Sequence, residues 1–421
     1  MKFPTALWLK LSFFNLVLIA LIGVLMRYKI AFSFPFLDQK HLLHGHSHFA
    51  FAGWITHTLM VLLISVIADK SEKFSYPKYR ILLYANLVTA YGMLISFTIQ
   101  GYGFLSIAFS TLSIFVSYAF AIIYWKDLNR SSSPVSHLPF KAALVLNVLS
   151  SIGPFTLAFM MATKNIHQSW YLASVYYFLH FQYNGWFFFA ILGLVFSKIE
   201  HLVFLRNRLL KIYRYFITAC IPAYFLSALW LPIPLWLYWL VVAAAVAQII
   251  AWFSFTRLCR RHKHELSQVF QKPGRGLLLL AAIALTIKLL LQLGSTVPSL
   301  SQLAFGFRPI VIGYLHLVLL GVVSIFLLGY IISFQLVTVN KKLLTGIYIF
   351  LAGVILNEFL LMIQGVTSLY YISTPYISEA LFATALILFV GASWTFLTTR
   401  KRNISETDFN HNFQGNTNRA L

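Results

Sequence analysis

The sequence predicts an all-α integral membrane protein with about twelve transmembrane helices in three pseudo-threefold arcs of four helices. Three observations predict this class. Sixty per cent of the 421 residues are hydrophobic and 10% are charged, whereas about a quarter of the residues in soluble domains are charged. Apolar runs long enough to cross a bilayer recur along the chain. Basic residues concentrate in alternate loops, as they do in proteins that cross a membrane repeatedly.

Polar breaks divide the apolar sequence into twelve predicted spans. The first has a basic flank but no small-residue cleavage site, so we interpret it as a spanning helix and not as a removed signal peptide. The seventh is the least regular, because Pro222 and Pro232 crowd it. In chain order the predicted spans are 6–28, 46–68, 81–100, 103–125, 140–162, 171–197, 213–229, 233–256, 276–293, 309–334, 343–364 and 378–398.

These spans predict a single polytopic membrane domain over residues 1–399. Its three arcs are expected at about 1–126, 127–257 and 258–399. The remaining residues, 400–421, are rich in Asn and Thr, and this composition predicts a disordered tail on the cytoplasmic side.

The charges of the loops predict the orientation. The even-numbered loops contain strongly basic runs such as "KIEHLVFLRNRLLKIYR" and "RLCRRHKHELSQVFQKPGR", while the odd-numbered loops are nearly free of charge. The positive-inside rule therefore places both termini in the cytoplasm and the chain in the cell (inner) membrane. The same loops explain the formal net charge of +22, so the expected partner is the lipid bilayer and not nucleic acid. Two cysteines are too few for a disulfide framework or a multi-cysteine metal site.

Three membrane histidines share a sequence pattern. His48, His180 and His316 begin the segments "HFAFAGW", "HFQYNGW" and "HLVLLGV" on spans two, six and ten, and a glycine follows each histidine by five residues. The histidines are 132 and 136 residues apart, which is four spans in each case. This spacing predicts an internal repeat, with one histidine in the outer half of the membrane per arc. At Gly53 and Gly321 the missing side chain would let a flat ligand or a neighbouring backbone approach.

The repeated histidines favour a shared ligand over simple helix packing. One membrane histidine is commonly an interhelical hydrogen-bond partner, but three at matched depth and spacing are harder to explain in that way. Imidazole is the usual axial donor to haem iron, and two histidines on different helices make a six-coordinate haem. Because the covalent C-x-x-C-H attachment motif is absent, we predict one noncovalent low-spin haem b. Whether a second haem is present stays open.

Twelve spans with histidines on helices two, six and ten resemble the large subunit of the haem–copper oxidase superfamily, which includes cytochrome c oxidases and nitric oxide reductases. The resemblance covers nearly the whole chain, at the level of topology. It implies that His48 and His316 hold the low-spin haem and that His180 matches a ligand of copper or non-haem iron. Tyr314 stands where the family has the histidine that binds its reactive haem.

The sequence also departs from that family. Two adjacent histidines on or near helix seven are expected for the second metal, and "YRYFITACIPAYFLSALW" contains none. The resemblance therefore implies a divergent relative that keeps the low-spin haem and lacks most of the oxygen-reducing centre. Copper or non-haem iron at His180 is correspondingly doubtful, and Tyr314 is an unproven substitute ligand.

Three functional hypotheses remain open at this point. The first is a haem protein that transfers electrons or carries out oxygen- or nitric oxide-linked redox chemistry, with His180 and Tyr314 as candidate catalytic residues. Its partners would be other respiratory subunits or a cytochrome electron donor. The second is a non-enzymatic haem or copper sensor, or an assembly factor for a respiratory complex. The third is a transporter without cofactor, in which the histidines form a proton or metal path.

Other polar residues near or within the spans have two interpretations each. His46, next to His48 in the external cluster "HLLHGHSH", could bind a metal or support haem propionates, or it could be satisfied structurally. Glu358 could belong to a proton relay or to a hydrogen-bonded pair between helices. Lys288 could have a function or extend its amine to the membrane interface.

Overall fold

The protein is all-helical in the part of the chain that the structure describes. This computed structural model describes residues 3–70, 74–130, 135–301 and 307–400, and no strand occurs among them. Within these ranges, eleven helices are long and apolar enough to cross a membrane. The predicted class of multi-span α-helical membrane protein is therefore confirmed. All but one residue of the predicted tail lies outside the described residues.

We number twelve helices in chain order, α1 to α12. Eleven are the candidate spans, and α7 is a shorter helix between the sixth and seventh of them. Their bounds are α1 Thr5–Phe32, α2 Gln39–Lys70, α3 Tyr76–Gln100, α4 Phe104–Arg130, α5 His137–Ala162, α6 Gln168–Ile199, α7 Arg206–Cys220, α8 Leu235–Arg261, α9 Gly274–Gly294, α10 Arg308–Ser333, α11 Lys341–Leu369 and α12 Ile377–Thr398.

The predicted span at 213–229 is not one continuous α-helix. α7 ends at Cys220, and a 3-10 helix follows from Pro222 to Ser227. Pro222 has no N–H to donate and its ring disturbs the preceding turn, which explains the break. With 15 residues, α7 is about 22 Å long, whereas the hydrocarbon core of a bilayer is about 30 Å thick. The structure thus divides the predicted seventh span into two shorter helices, which together rise about 34 Å, and eleven single helices in the described ranges are long and apolar enough to cross a membrane.

Helices α2 and α6 occupy the interior of the molecule. In their most apolar windows, 89% and 72% of the residues are buried inside the protein, against 17% for α4. At the periphery, α12 packs against both α11 and α1. Phe396 of α12 lies 5.3 Å from Phe14 of α1, between ring centroids, and Phe382 lies 5.5 Å from Tyr28. The last helix therefore returns to the first, and the helices enclose a core around α2 and α6.

One face of the molecule collects the ion pairs between helix ends. Lys70 at the end of α2 pairs with Glu200 after α6. Lys78 at the start of α3 lies 2.8 Å from the Asp127 carboxylate of α4, which also accepts a 2.6 Å hydrogen bond from Tyr79. We call the face that carries these pairs the basic face. It contains the loops that were predicted to be basic.

The opposite face contains the start of α2, which carries the histidine cluster. Asp38 caps this helix, because its Oδ1 accepts hydrogen bonds from the backbone N–H groups of Lys40 at 2.8 Å and His41 at 3.0 Å. The bond from His41 is the largest cause that keeps the pKa of the Asp38 carboxyl below its ordinary value. The cap fixes where α2 begins, and so contributes to the positions of the histidines that follow.

Each of α2, α6 and α10 contains a π-helical segment at the same place in the sequence pattern. The segments are Ala50–Thr56, Phe181–Phe187 and Leu317–Ser324. Each begins one or two residues after the histidine of the pattern and contains its glycine. π-Helices make up well under 1% of residues in proteins and occur frequently at functional sites. The repeat seen in the sequence therefore has a repeated local structure.

The three π-helical segments meet in the interior. The indole N–H of Trp54 in α2 donates a 2.9 Å hydrogen bond to the Ser324 hydroxyl of α10. The indole N–H of Trp186 in α6 donates a 3.2 Å hydrogen bond to the Thr56 hydroxyl of α2. In both pairs the tryptophan stands six residues after the patterned histidine of its own helix. The hydroxyl stands eight residues after the patterned histidine of the other helix, so the two contacts are equivalent.

Candidate functional site

His316 lies at the end of the first α-helical part of α10, directly before the π-helical segment. Its Nδ1 is 2.8 Å from the carbonyl oxygen of Ile312, one turn earlier. Because only an N–H can bond to a carbonyl, this contact places the proton on Nδ1 and leaves the lone pair of Nε2 available. A ring nitrogen fixed by a backbone carbonyl while the other is available is the usual arrangement of a histidine that binds a metal.

His46 lies close to His316, although the two belong to non-adjacent helices. Their imidazoles interact electrostatically with each other, and both interact with the guanidinium of Arg27 in α1. The His46 ring packs on α1, near the backbone of Ile19 and beside Gly23. A Cβ atom at Gly23 would be only 3.6 Å from His46 Cε1. The side chains of α1, α2 and α10 thus converge on one place.

The Nδ1 atom of His46 is buried and has no hydrogen-bond partner among the described residues. An unpaired buried polar atom is costly, and in a native protein it calls for an explanation such as a bound group. Like His316, His46 therefore has one ring nitrogen without a hydrogen-bond partner among the described residues. This is the feature that a ligand placed between the two histidines would use.

His48 faces a different part of the structure. Its ring stacks on Phe97 of α3, with centroids 4.3 Å apart and planes inclined by 11°. Its Nε2 is 3.5 Å from the hydroxyl of Tyr102 in the turn between α3 and α4. Residues two positions apart on a helix differ by about 200° in direction. Of the two histidines, His46 is therefore the one that the structure brings near His316.

His180 is part of a buried hydrogen-bond network. The side chain is completely buried. Its Nε2 is 2.9 Å from the carbonyl oxygen of Cys220, and its Nδ1 is 3.1 Å from Asn184 Nδ2. The Asn184 side-chain oxygen in turn accepts a 2.5 Å hydrogen bond from Lys288 Nζ. Both ring nitrogens of His180 are thus engaged by protein groups.

Tyr314 and His180 contact different side chains. It packs against Tyr183 with ring centroids 6.3 Å apart, and the two hydroxyls are hydrogen-bonded. His180 instead contacts Phe181 and Tyr224. No group of three or more His, Cys, Asp or Glu side chains in the described ranges is arranged to hold a metal ion. The two candidate catalytic residues lie in separate surroundings.

The patterned glycines contact protein side chains. A Cβ at Gly53 would lie 2.5 Å from the ring of Phe49, and one at Gly321 would lie 3.4 Å from the Cβ of Ala284. Gly185 is in the same position relative to Leu146, at 2.8 Å. The nearest groups at Gly53 and Gly321 are thus side chains, Phe49 of the same helix and Ala284 of α9, and not a neighbouring backbone.

Two functional residues escaped the sequence analysis. Arg27 was part of the polar end of the first apolar run, so it resembled an ordinary flanking charge. Asn184 lies inside a patterned segment, "HFQYNGW", where its polarity among aromatic residues was a signal that could have been followed. Polar residues within spans almost always face the interior or a partner, and both residues do so.

No protein-family model matches the chain, and no curated protein matches it. Its function is therefore inferred from the chemistry of the site and from the resemblance in topology.

Proposed function

We propose that the protein binds a low-spin haem b between α1, α2 and α10, with His316 and His46 as its axial ligands. The observation that carries this proposal is the pair of imidazoles from non-adjacent helices, each with one ring nitrogen available. Two such imidazoles make the six-coordinate arrangement typical of electron-transferring haem. The pair replaces His48 and His316, since His48 stacks on Phe97.

The surroundings of the two histidines fit a haem. A haem carries two propionates, and Arg27 would bind one of them through a charge-assisted hydrogen bond. The residues from Arg308 to His316 include none that is buried, although α10 contacts the interior segments of both α2 and α6. Apart from Arg308, these side chains are partly buried, so a macrocycle bound beside them would cover surface that the protein leaves open.

The protein's own residues would determine the properties of this site. A bound haem supplies one-electron redox chemistry. The Ile312 carbonyl orients the His316 ring and raises the basicity of its free nitrogen. The Arg27 guanidinium would place a positive charge beside the haem and raise its reduction potential, because the oxidised form carries one more positive charge. We infer that electron transfer is the primary activity, with a respiratory subunit or a cytochrome as the electron donor.

The buried network around His180 favours electron transfer over oxygen or nitric oxide reduction. A second metal at His180 would need a free ring nitrogen and further ligands nearby. Both nitrogens of His180 are hydrogen-bonded, and Tyr314 is bonded to Tyr183. We therefore propose a divergent relative of the haem–copper oxidase large subunit that retains the low-spin site. The equivalent π-helical contacts support an arrangement of three arcs like that of the superfamily.

We further propose that the basic face is cytoplasmic, which places both termini of the chain in the cytoplasm and the histidines in the outer half of the membrane. The concentration of Lys and Arg in its loops supports this orientation.

An absorption spectrum of the purified full-length chain tests the proposal. After expression in a haem-competent host, the reduced-minus-oxidised spectrum should contain the sharp bands of a bis-histidine haem, with about one haem per chain. His316→Ala and His46→Ala should each abolish the low-spin signal. His48→Ala is the matched control, two residues along the same helix, and should retain the signal. His180→Ala should also retain it.

Three outcomes would contradict the proposal. A colourless preparation would exclude haem and favour the transporter. Loss of the signal in His48→Ala with retention in His46→Ala would return the ligand pair to His48 and His316. A stoichiometric second metal together with turnover of oxygen or nitric oxide would favour a redox enzyme.

A further inference from the structure

A large cavity lies on the other side of α10 from His46, between α6, α8, α9 and α10. Its volume is about 1000 Å³, which is at the upper end of pockets that enclose small molecules. Its walls are mainly apolar and aromatic side chains, including Phe188, Leu192, Trp252, Leu285, Val318 and Val322. Such a cavity favours an elongated apolar occupant over a polar one.

The cavity lies where the equivalent contacts between π-helical segments are incomplete. By the same count from the patterned histidines, the third contact would join residue 322 of α10 to residue 188 of α6. Val322 and Phe188 occupy these positions, so there is neither an indole nor a hydroxyl, and both side chains line the cavity. Replacing a tryptophan by a valine leaves unfilled volume. The junction between α6 and α10 therefore lacks the indole–hydroxyl hydrogen bond of the other two, and the cavity lies beside it.

The rim of the cavity is positively charged. Among the residues that line it, the basic ones at the basic face are Arg260, Lys263, His264, Lys272 and Arg275, and no Asp or Glu lines it. Arg260, Lys263 and Lys272 are exposed, so their charges are available at the surface. Basic pockets between transmembrane helices bind the headgroups of anionic lipids. The rim thus favours an occupant with a negatively charged group, and the walls favour an occupant with an apolar chain.

We propose that this cavity holds an acyl chain of an anionic phospholipid from the leaflet at the basic face, with the lipid phosphate bound by the rim. The acyl chain contacts the apolar walls, and the phosphate accepts hydrogen bonds from Arg260 and Arg275. The lipid adds contacts among α6, α8, α9 and α10 where the tryptophan–hydroxyl hydrogen bond of the other two junctions is missing. The proposal does not depend on the haem.

Lys288 limits the orientation of the ligand. This lysine lies at the inner end of the cavity and is almost completely buried, and its amine is bonded to Asn184. A single-chain carboxylate could enter with its charged group towards Lys288 and its chain towards the rim. The several charges at the rim favour the opposite orientation, in which the headgroup stays at the membrane surface.

Native mass spectrometry of the full chain, purified in detergent and titrated with phosphatidylglycerol or phosphatidylcholine, tests the proposal. One phosphatidylglycerol should be retained in preference to phosphatidylcholine. Removing two rim charges in Arg260→Gln/Arg275→Gln should weaken its binding at least about tenfold, since each basic residue near an anionic lipid contributes on the order of 1 kcal/mol. Arg208→Gln removes an exposed charge on the same face, outside the cavity, and should leave binding unchanged.

Filling the cavity tests the position of the acyl chain. Val322→Trp restores the side chain that α2 and α6 have at this place, and it should abolish retention of phosphatidylglycerol while leaving the haem spectrum intact. If that variant does not fold, Leu285→Phe fills the same space from α9. Equal retention of the two lipids would overturn the proposal, as would retention in the folded filled variant. Loss of binding in Lys288→Met but not in the rim variant would identify a carboxylate ligand with its headgroup inside.

Discussion

At the scale of single residues, the site depends on which histidine of α2 faces α10. The sequence places His41, His44, His46 and His48 within eight positions, and spacing alone could not choose among them. The choice is made by the rotation of α2, which follows from packing against Phe97 on one side and Gly23 on the other. Rotation about a helix axis is a tertiary property, so the sequence predicted His316 with a partner on α2 but selected His48.

Asn184 carries a second prediction at this scale, because it connects three buried groups. Asn184→Ala would leave the buried amine of Lys288 without the hydrogen bond that it donates to this side chain. Leaving a buried donor without its hydrogen-bond partner typically costs about 1–3 kcal/mol. We expect a loss of this order in the free energy of unfolding, measured in mixed detergent and SDS micelles.

The matched comparison for Asn184 is the double variant Asn184→Ala/Lys288→Met. Methionine needs no hydrogen-bond partner, so the double variant should be more stable than Asn184→Ala alone. If the losses in free energy of unfolding for Asn184→Ala and Lys288→Met simply add in the double variant, the Lys288 amine has another adequate partner. That result would contradict the network described for His180.

At the scale of elements, the π-helical segments are the features that hydropathy could not predict. Hydrophobic runs between polar breaks identified the eleven long helices, because lipid and protein interiors both require apolar residues; α2 begins seven residues before its predicted start at residue 46. A turn of π-helix has the same hydropathy as a turn of α-helix when all its residues are apolar. Every residue of Leu317–Val323 is apolar or glycine, so the hydropathy of this segment could not indicate its π-helical winding. The histidine–glycine spacing indicated the repeat, but it did not indicate that each repeated segment is π-helical.

The contact between Trp54 and Ser324 allows a prediction about these elements. Trp54→Phe and Ser324→Ala each remove one partner of a buried 2.9 Å hydrogen bond. A double-mutant cycle on the free energy of unfolding should give a coupling of about 1 kcal/mol. The equivalent cycle on Trp186→Phe and Thr56→Val should give a smaller value, because that bond is 3.2 Å long. Zero coupling in both cycles would mean that the π-helical segments do not support one another.

At the scale of the whole molecule, the sequence predicted a single helical membrane domain and missed the break at Pro222. Composition and loop charge were sufficient for the class, because a bilayer imposes length and apolarity on each span. They were insufficient for α7, where the proline divides an apolar run into an α-helix and a 3-10 helix. The convergence of α1, α2 and α10 depends on how the helices pack together, so the sequence of a single segment could not predict it.

The orientation of the molecule can be tested by labelling. In a variant with Cys220 and Cys259 replaced by serine, a single cysteine is introduced at Lys40 or at Arg208, which are exposed on opposite faces. In intact spheroplasts, an impermeant maleimide should label Lys40→Cys and not Arg208→Cys, since we propose that the basic face is cytoplasmic. Both should react once the membrane is disrupted. The reverse pattern would invert the orientation.

The winding of α2 also has a genetic consequence. A π-helical turn amounts to one residue more than an α-helical turn, so an in-frame loss of a single codon within residues 50–56 would return the helix to regular α-helical winding. Because the extra residue and the extra winding would be lost together, the part of α2 that carries His46 would keep about the same direction relative to the part that follows Thr56. Loss of one codon from the α-helical residues that follow Thr56 has no such compensation, and it would turn His46 by about 100° relative to the end of α2 without altering any histidine.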